Sequence, residues 1–174
     1  MTGRCFGPGE LRTAAETAGF GRALATVCRA GDLVVLAGDL GAGKTTLTQG
    51  IGAGLRVRGD VTSPTFVIAR VHPPLGDGPA LVHVDAYRLG SIAELDDMDL
   101  DATLEQSVTV VEWGEGLAED LADSHLLVVL EADPVTECRR VRIDAVGERW
   151  AAPAVRAALE ALVAGGGASG RDRS

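Results

Sequence analysis

The order of apolar and polar positions along the chain predicts strands that alternate with helices. Short apolar runs at residues 33–37, 80–84 and 108–111 have the length of strands that are buried on both faces. Helices are predicted over residues 10–29, 44–55 and 151–164, with a short helix over 117–121 and helical pieces within 91–106. Because strands and helices take turns, we expect an α/β fold with a mainly parallel central sheet.

Further strands are expected beside this parallel block. Residues 66–71 are typical of a strand, and the following segment 72–79 is interrupted by proline and glycine. The runs 125–130 and 138–145 are predicted as a pair of strands that adds an antiparallel part to the sheet. We expect a single domain over residues 1–164 and a disordered tail, rich in Gly, Ser and Arg, over residues 165–174.

Composition and charge narrow the class of function. With 174 residues, of which 46% are hydrophobic, the chain can bury a core, although only 3% of it is aromatic. The formal charge of −9 disfavours direct binding of DNA or RNA, which needs a basic face. The same charge suits a basic protein partner better.

The cysteines and the lack of long apolar segments favour a cytoplasmic protein. Cys5, Cys28 and Cys138 lie far apart without CxxC spacing, so neither a disulfide framework nor a metal cage is expected. No apolar run approaches the ~18 residues of a membrane-spanning helix, and residues 1–10 lack the features of a secretory signal. We therefore expect no membrane association.

One segment carries a specific chemical signal. Residues 38–45, GDLGAGKT, match the full pattern G-x-x-x-x-G-K-[ST] between a predicted strand and a predicted helix. Glycines let backbone N–H groups wrap a triphosphate, the lysine supplies charge for the β- and γ-phosphates, and the threonine hydroxyl suits Mg²⁺. We call residues 38–45 the P-loop, and we predict from it a P-loop NTPase-like three-layer fold. The predicted nucleotide-binding residues of this segment are Gly38, Asp39, Leu40, Gly41, Ala42, Gly43, Lys44, Thr45 and Thr46.

Two acidic residues that follow predicted strands are candidates for the second half of the site. Asp85 follows the run 80–84, and Glu112 follows the run 108–111. Ligands of open α/β sheets bind at the carboxyl ends of strands, so both carboxylates are expected near the P-loop. A solvated acid at a strand end is the alternative for each. Trp113 comes directly after Glu112 and either lines the site or packs in the core.

Polar residues near these strand ends have both a functional and a structural interpretation. His83 lies on the same strand face as Asp85, yet a packed histidine is the simpler explanation. Tyr87 and Arg88 suit contact with phosphate or a partner, while a surface salt bridge is the simpler role for Arg88. The segment 63–65, Ser-Pro-Thr, has the position of a nucleotide-sensing switch, although by itself it indicates only a turn.

A group of arginines near the end of the chain raises the possibility of a kinase lid. These residues are Arg139, Arg140 and Arg142. Their partial alternation with Cys138, Val141 and Ile143 favours a strand with basic outward positions instead.

Taken together, four motifs in order resemble a known family. They are GDLGAGKTTLTQGIG, TSPTFVI, HVDAYRL and VEWGE. This order is similar to that of the bacterial TsaE (YjeE) family, the ATPase of tRNA threonylcarbamoyladenosine biosynthesis, over roughly residues 10–146. The match of four motifs is far more specific than the P-loop pattern alone.

The resemblance implies roles for individual residues. It implies that Lys44 and Thr45 bind ATP and Mg²⁺, that Asp85 is needed for hydrolysis, and that Glu112 binds magnesium with Trp113 beside the site. It also implies that residues 63–65 act as a switch, with Thr65 contacting the nucleotide. Thr46 follows the P-loop and is expected to contact the nucleotide as well.

The same resemblance implies partners and a biological role. Family members bind TsaD- and TsaB-type proteins, which attach a threonylcarbamoyl group to adenosine 37 of tRNA. The expected function is ATP hydrolysis that resets this complex, with tRNA contacted only through the partners. A P-loop small-molecule kinase is the alternative, and a GTP-dependent switch is disfavoured because the sequence has no N-K-x-D segment.

Overall fold

The computed structural model describes residues 3–63, 69–88, 105–116 and 122–165. Seven strands and three α-helices follow one another in these ranges. Their bounds are β1 Gly3–Leu11, α1 Ala14–Ala25, β2 Leu33–Ala37, α2 Lys44–Leu55, β3 Ala69–His72, β4 Ala80–Asp85, β5 Ser107–Glu112, β6 His125–Ala132, β7 Arg139–Val146 and α3 Pro153–Gly165. Short 3-10 helices lie at Ala86–Arg88 and Glu148–Trp150.

The seven strands form one sheet in the order β1-β7-β6-β2-β5-β4-β3. The central strands β6, β2, β5 and β4 are parallel, so their carboxyl ends lie at the same edge. β7 pairs antiparallel with β6 and with β1, and β3 pairs antiparallel with β4. The predicted α/β class, parallel centre and late antiparallel pair are confirmed.

The described helices contribute to a single large core on one face of the sheet. Leu24 of α1, Ile51 of α2 and Leu159 of α3 belong to one buried apolar cluster. The other face holds a smaller buried cluster that includes Val35 and Val111. Burial on both faces explains why the central strands appear in the sequence as unbroken apolar runs. No helix within the described ranges is long and apolar enough to cross a membrane.

The structure corrects the prediction at the N-terminus. The predicted helix over residues 10–29 is shorter in the structure, and β1, which was not predicted, ends at Leu11. The side chain of Thr13 accepts a hydrogen bond from the Glu16 N–H and caps α1, so the helix begins after Thr13. β1 is buried only at scattered positions, so its sequence lacks the regular alternation that indicates a strand.

Several predictions fall wholly or partly outside the described residues. They are the helix over 117–121, most of the helix over 91–106, the first part of the strand over 66–71 and the tail after residue 165. Gly165, predicted as the first residue of the tail, is instead the last residue of α3.

α1 and α2 approach so closely that glycine is needed at their contact. A Cβ atom added at Gly50 would lie 2.1 Å from the Ala18 carbonyl oxygen, and one at Gly21 would lie 2.3 Å from the Leu47 carbonyl oxygen. Any side chain at either position would therefore push the helices apart. The contact fixes the position of α2, which begins at Lys44.

A buried ion pair joins the start of β2 to the segment before α3. The Arg149 guanidinium donates from Nε to Asp32 Oδ1 at 2.9 Å and from Nη2 to Asp32 Oδ2 at 2.8 Å. Nη2 also donates to the Val27 carbonyl oxygen at 2.8 Å. The guanidinium carbon lies 4.3 Å from the ring centroid of Trp150. These contacts hold the far end of β2, away from the P-loop, in place.

Candidate functional site

The P-loop joins the carboxyl end of β2 to the first turn of α2. Its glycines Gly38, Gly41 and Gly43 have φ values of 140°, 83° and 104°, in a region that residues other than glycine rarely adopt. A Cβ atom at Gly38 would also lie 2.2 Å from the Leu130 carbonyl oxygen of β6. The glycines of the pattern are therefore required by the backbone of the loop and by its contact with the next strand.

Lys44 lies inside this loop rather than in solvent. Its ammonium Nζ donates to the carbonyl oxygens of Gly38 at 2.7 Å and Asp39 at 2.9 Å. It also lies 3.6 Å from the ring centroid of Trp113. Burial lowers the pKa of Lys44, and the nearby carboxylates, Glu112 first among them, oppose that shift. The ammonium is thus positioned at the loop by contacts that an anionic ligand can replace.

Glu112 ends β5 and is the most densely bonded carboxylate of the site. The residue is buried, with 3% exposure. Oε2 accepts from the Thr45 hydroxyl at 3.1 Å, and Oε1 accepts from the Thr48 hydroxyl at 3.3 Å. Nε2 of His83 lies 2.8 Å from Oε1. His83 is fully buried on β4, as expected of a packed histidine, and it also contacts the site through Glu112.

Asp85 lies beside Glu112 at the same edge of the sheet. The two residues are register partners across the parallel strands β4 and β5, as expected for carboxyl ends of neighbouring strands. Oδ1 of Asp85 accepts the Tyr87 N–H at 3.1 Å, which fixes the turn after β4. The side chain is half-buried and lines the cavity in front of the loop.

Trp113 lines the site and does not pack in the core. Its backbone has φ of 62°, which is uncommon for a large side chain. The backbone N–H of Trp113 donates to the Leu36 carbonyl oxygen of β2 at 3.2 Å. The indole ring contacts the exposed ring of Tyr87, with 5.4 Å between their centroids. This backbone conformation places the indole over Lys44.

The cavity bounded by these groups has a volume of about 550 Å³. Its lining includes most of the predicted site residues: Leu40, Gly41, Gly43, Lys44, Thr45, Thr46, Asp85, Glu112 and Trp113. Gly38 and Asp39 line a neighbouring recess with Trp113, and Ala42 is buried beneath the loop. The P-loop and the two carboxylates, far apart in the sequence, are therefore brought together.

Part of the predicted switch lies outside the described residues. Ser63 lines the cavity, but Pro64 and Thr65 are not described. The predicted contact of Thr65 with nucleotide stays a prediction, as does the role of the Arg88 side chain.

Arg139 is a cavity residue, which corrects its prediction as an outward-facing strand position. It is the first residue of β7, and its Nε donates to the Ala42 carbonyl oxygen of the P-loop at 3.3 Å. Arg140 and Arg142 are exposed, as predicted. Strand alternation carried the signal, because Arg139 has the same parity along β7 as the buried Val141 and Ile143, whereas Arg140 and Arg142 lie on the opposite face. Thr48 was also missed, although it follows Thr45 by the spacing that shares a helix face.

Comparison with known proteins gives consistent matches over most of the chain. A family model described as Threonylcarbamoyl adenosine biosynthesis protein TsaE matches residues 11–141. A Streptomyces coelicolor protein named tRNA threonylcarbamoyladenosine biosynthesis protein TsaE is 62% identical over 135 residues, which cover 75% of this chain and 91% of that protein. A Bacillus subtilis protein of the same name is 37% identical over 137 residues, with 78% and 83% coverage.

A solved structure shares the fold. The crystal structure of Bacillus subtilis YdiB matches with a TM-score of 0.68 and 29% sequence identity. The match covers 92% of this chain and 94% of that one.

Proposed function

The chain belongs to the TsaE family, and on that premise we propose that it binds ATP with Mg²⁺ at the P-loop and hydrolyses the ATP. In this proposal, hydrolysis supports a complex of TsaD- and TsaB-type proteins. That complex forms N6-threonylcarbamoyladenosine at position 37 of tRNA, and this chain contacts tRNA only through it.

The observation that carries the proposal is the contact between the P-loop and Glu112. The Thr45 hydroxyl lies 3.1 Å from a buried carboxylate oxygen, and Thr45 directly follows Lys44, whose ammonium contacts the glycine loop. A hydroxyl and a carboxylate are oxygen ligands of the kind that Mg²⁺ prefers, so Thr45 and Glu112 would hold the ion. Backbone N–H groups and the start of α2 suit the phosphates. The donor set therefore fits a magnesium–triphosphate group.

Individual side chains would have separate roles in binding the phosphates and the metal. The Lys44 ammonium would give up its hydrogen bonds to the carbonyl oxygens of Gly38 and Asp39 and donate to the β- and γ-phosphates instead. It would remain charged beside the phosphates. Thr45 and Glu112 would hold the metal, and His83 would fix the orientation of the Glu112 carboxylate. When bound, magnesium would neutralise charge that develops on the transferring phosphoryl group.

Asp85 would act on the attacking water. It lies next to Glu112 and lines the cavity, so its carboxylate could accept a hydrogen bond from a water or from the metal's hydration shell. Hydrolysis by the chain alone is expected to be slow, because ordering that water and stabilising the transferring group benefit from groups that a partner supplies.

ATP turnover by the purified chain, alone and with TsaD- and TsaB-type proteins, tests the proposal. We expect low turnover that rises with the partners and falls in Glu112→Ala. Glu148→Ala is a matched control, since it removes an exposed carboxylate outside the cavity lining. Turnover that the partners leave unchanged would reject the assigned pathway. Turnover that instead requires a small hydroxylated acceptor would favour a P-loop kinase.

A further inference from the structure

Arg139 lines the cavity and bonds only to backbone carbonyl oxygens among the described residues. Its Nε donates to the Ala42 carbonyl oxygen at 3.3 Å, and its Nη1 donates to the Glu137 carbonyl oxygen at 2.8 Å. Within the described residues no carboxylate lies within ion-pair distance of it, whereas Arg4, Arg142 and others pair with acids. A guanidinium at a cavity wall, bonded only to neutral carbonyls, keeps its charge available for an anion.

The side chain is held against the P-loop itself. Its Nε and Cδ lie 3.3 Å and 3.7 Å from the position that a Cβ atom would occupy at Gly43. Gly43, with φ of 104°, therefore provides both the loop conformation and the space for the Arg139 stem. The bond to Ala42 is at the long end of the hydrogen-bond range, so the guanidinium can leave that carbonyl at small cost.

Arg139 and Glu112, the carboxylate proposed to hold magnesium, lie on opposite sides of the P-loop. The P-loop follows β2, with Glu112 on β5 on one side and Arg139 on β7, beyond β6, on the other. Thr45 and Glu112 would hold magnesium beside the β- and γ-phosphates, so the γ-phosphate end of the triphosphate would lie toward Glu112. The end of the triphosphate that carries the nucleoside then points toward the Arg139 side.

We propose that Arg139 binds the nucleoside-proximal phosphates, which ATP and ADP share, and so retains the nucleotide both before and after hydrolysis. This inference rests on the proposed function. It differs from the role of an arginine finger, which would contact the γ-phosphate in the transition state and change the rate constant rather than the affinity.

Arg139→Met tests the inference, because methionine keeps an unbranched stem against Gly43 and removes the charge. Equilibrium titration with ATP and with ADP is expected to show about a 10-fold or greater loss of affinity for both, with kcat at saturating ATP unchanged. Arg140→Met, the neighbouring exposed position on β7, is the matched control and is expected to match the wild type. A fall in kcat with unchanged affinities would overturn the inference.

A second pair of variants separates charge from simple support of the loop. Arg139→Lys keeps the charge, and Arg139→Gln keeps an N–H donor for the Ala42 carbonyl. We expect Lys to retain more affinity than Gln, while the reverse order would show that Arg139 only tethers the loop. If the wild-type chain bound neither ATP nor ADP, the proposed function would fail. Normal binding by the wild type and by Arg139→Met alike would reject this inference alone.

Discussion

The contact between α1 and α2 predicts that one glycine of the P-loop helix is indispensable. Gly50 lies in the middle of α2, where alanine is ordinarily favoured by about 1 kcal/mol over glycine. In the structure a Cβ atom there would lie 2.1 Å from the Ala18 carbonyl oxygen and 2.9 Å from its carbonyl carbon. Both atoms belong to the backbone of α1, so no side-chain rotation relieves the clash.

The size of the effect follows from these opposing terms. Overpacking a close-packed contact costs typically about 1–3 kcal/mol, and more where backbone must move. After subtraction of the gain in helix propensity, we expect Gly50→Ala to lower the free energy of unfolding by about 2 kcal/mol. For a chain of this size, that loss corresponds to a fall in Tm of about 4–8 °C.

Gly19 provides the matched control within the partner helix. It lies in α1, and a Cβ atom there would meet nothing within 4 Å. Gly19→Ala is therefore expected to raise the Tm by about 2–4 °C through helix propensity alone. Thermal unfolding followed by circular dichroism measures both variants. Equal Tm changes for Gly50→Ala and Gly19→Ala would refute the close helix contact and the positioning of α2 that depends on it.

Three further predictions concern charge and buried polar groups. Burial lowers the pKa of Lys44 in the free chain, and a bound phosphate would raise that pKa, so ATP binding should take up protons. The affinity for ATP should therefore fall as the pH rises through the lowered pKa. Binding titrations at neutral and alkaline pH test this. His83→Leu should weaken Mg²⁺-dependent ATP binding by about 10-fold or more by leaving Glu112 misoriented, while Mg²⁺-independent binding stays unchanged. Arg149→Met should lower the free energy of unfolding by about 3 kcal/mol in a denaturant titration, because Asp32 stays buried without its partner.

Each of these predictions has an outcome that contradicts it. An ATP affinity that stays constant with pH would mean that Lys44 keeps the same protonation state free and bound. Equal Mg²⁺ dependence of ATP binding in the wild type and in His83→Leu would contradict the role of His83 in orienting Glu112. Arg4→Met, which breaks an ion pair with 54% exposure of both side chains, is the control for Arg149→Met and should change stability by less than about 1 kcal/mol. Equal losses in the free energy of unfolding for Arg4→Met and Arg149→Met would contradict the argument that burial makes the Arg149–Asp32 pair important.

The sequence was sufficient for the centre of the fold and for the first half of the site. Strands β2, β4 and β5 are buried on both faces, so they stand out as apolar runs, and the P-loop pattern fixes what lies between β2 and α2. Carboxylates directly after β4 and β5 were then placed near the loop by the parallel arrangement alone.

The remaining features depend on contacts that no local pattern records. β1 is an edge strand whose pairing with β7 arises only after the chain returns from the far end of the sequence. His83 could be assigned to the correct strand face, but its contact with Glu112 depends on the register between β4 and β5. Arg139 has the strand parity of the buried Val141 and Ile143, but its contact with the Ala42 carbonyl depends on how β7 lies relative to the P-loop.

The most direct test of the central claim is a calorimetric titration of the chain with ATP in the presence and absence of Mg²⁺. We expect one ATP to bind per chain, more tightly with Mg²⁺. Thr45→Val, which keeps the shape of the side chain and removes the hydroxyl bonded to Glu112, should lose most of the Mg²⁺ dependence while still binding ATP. Absence of ATP binding by the wild type, or the same Mg²⁺ dependence in Thr45→Val, would contradict the magnesium–nucleotide site proposed for the P-loop and Glu112.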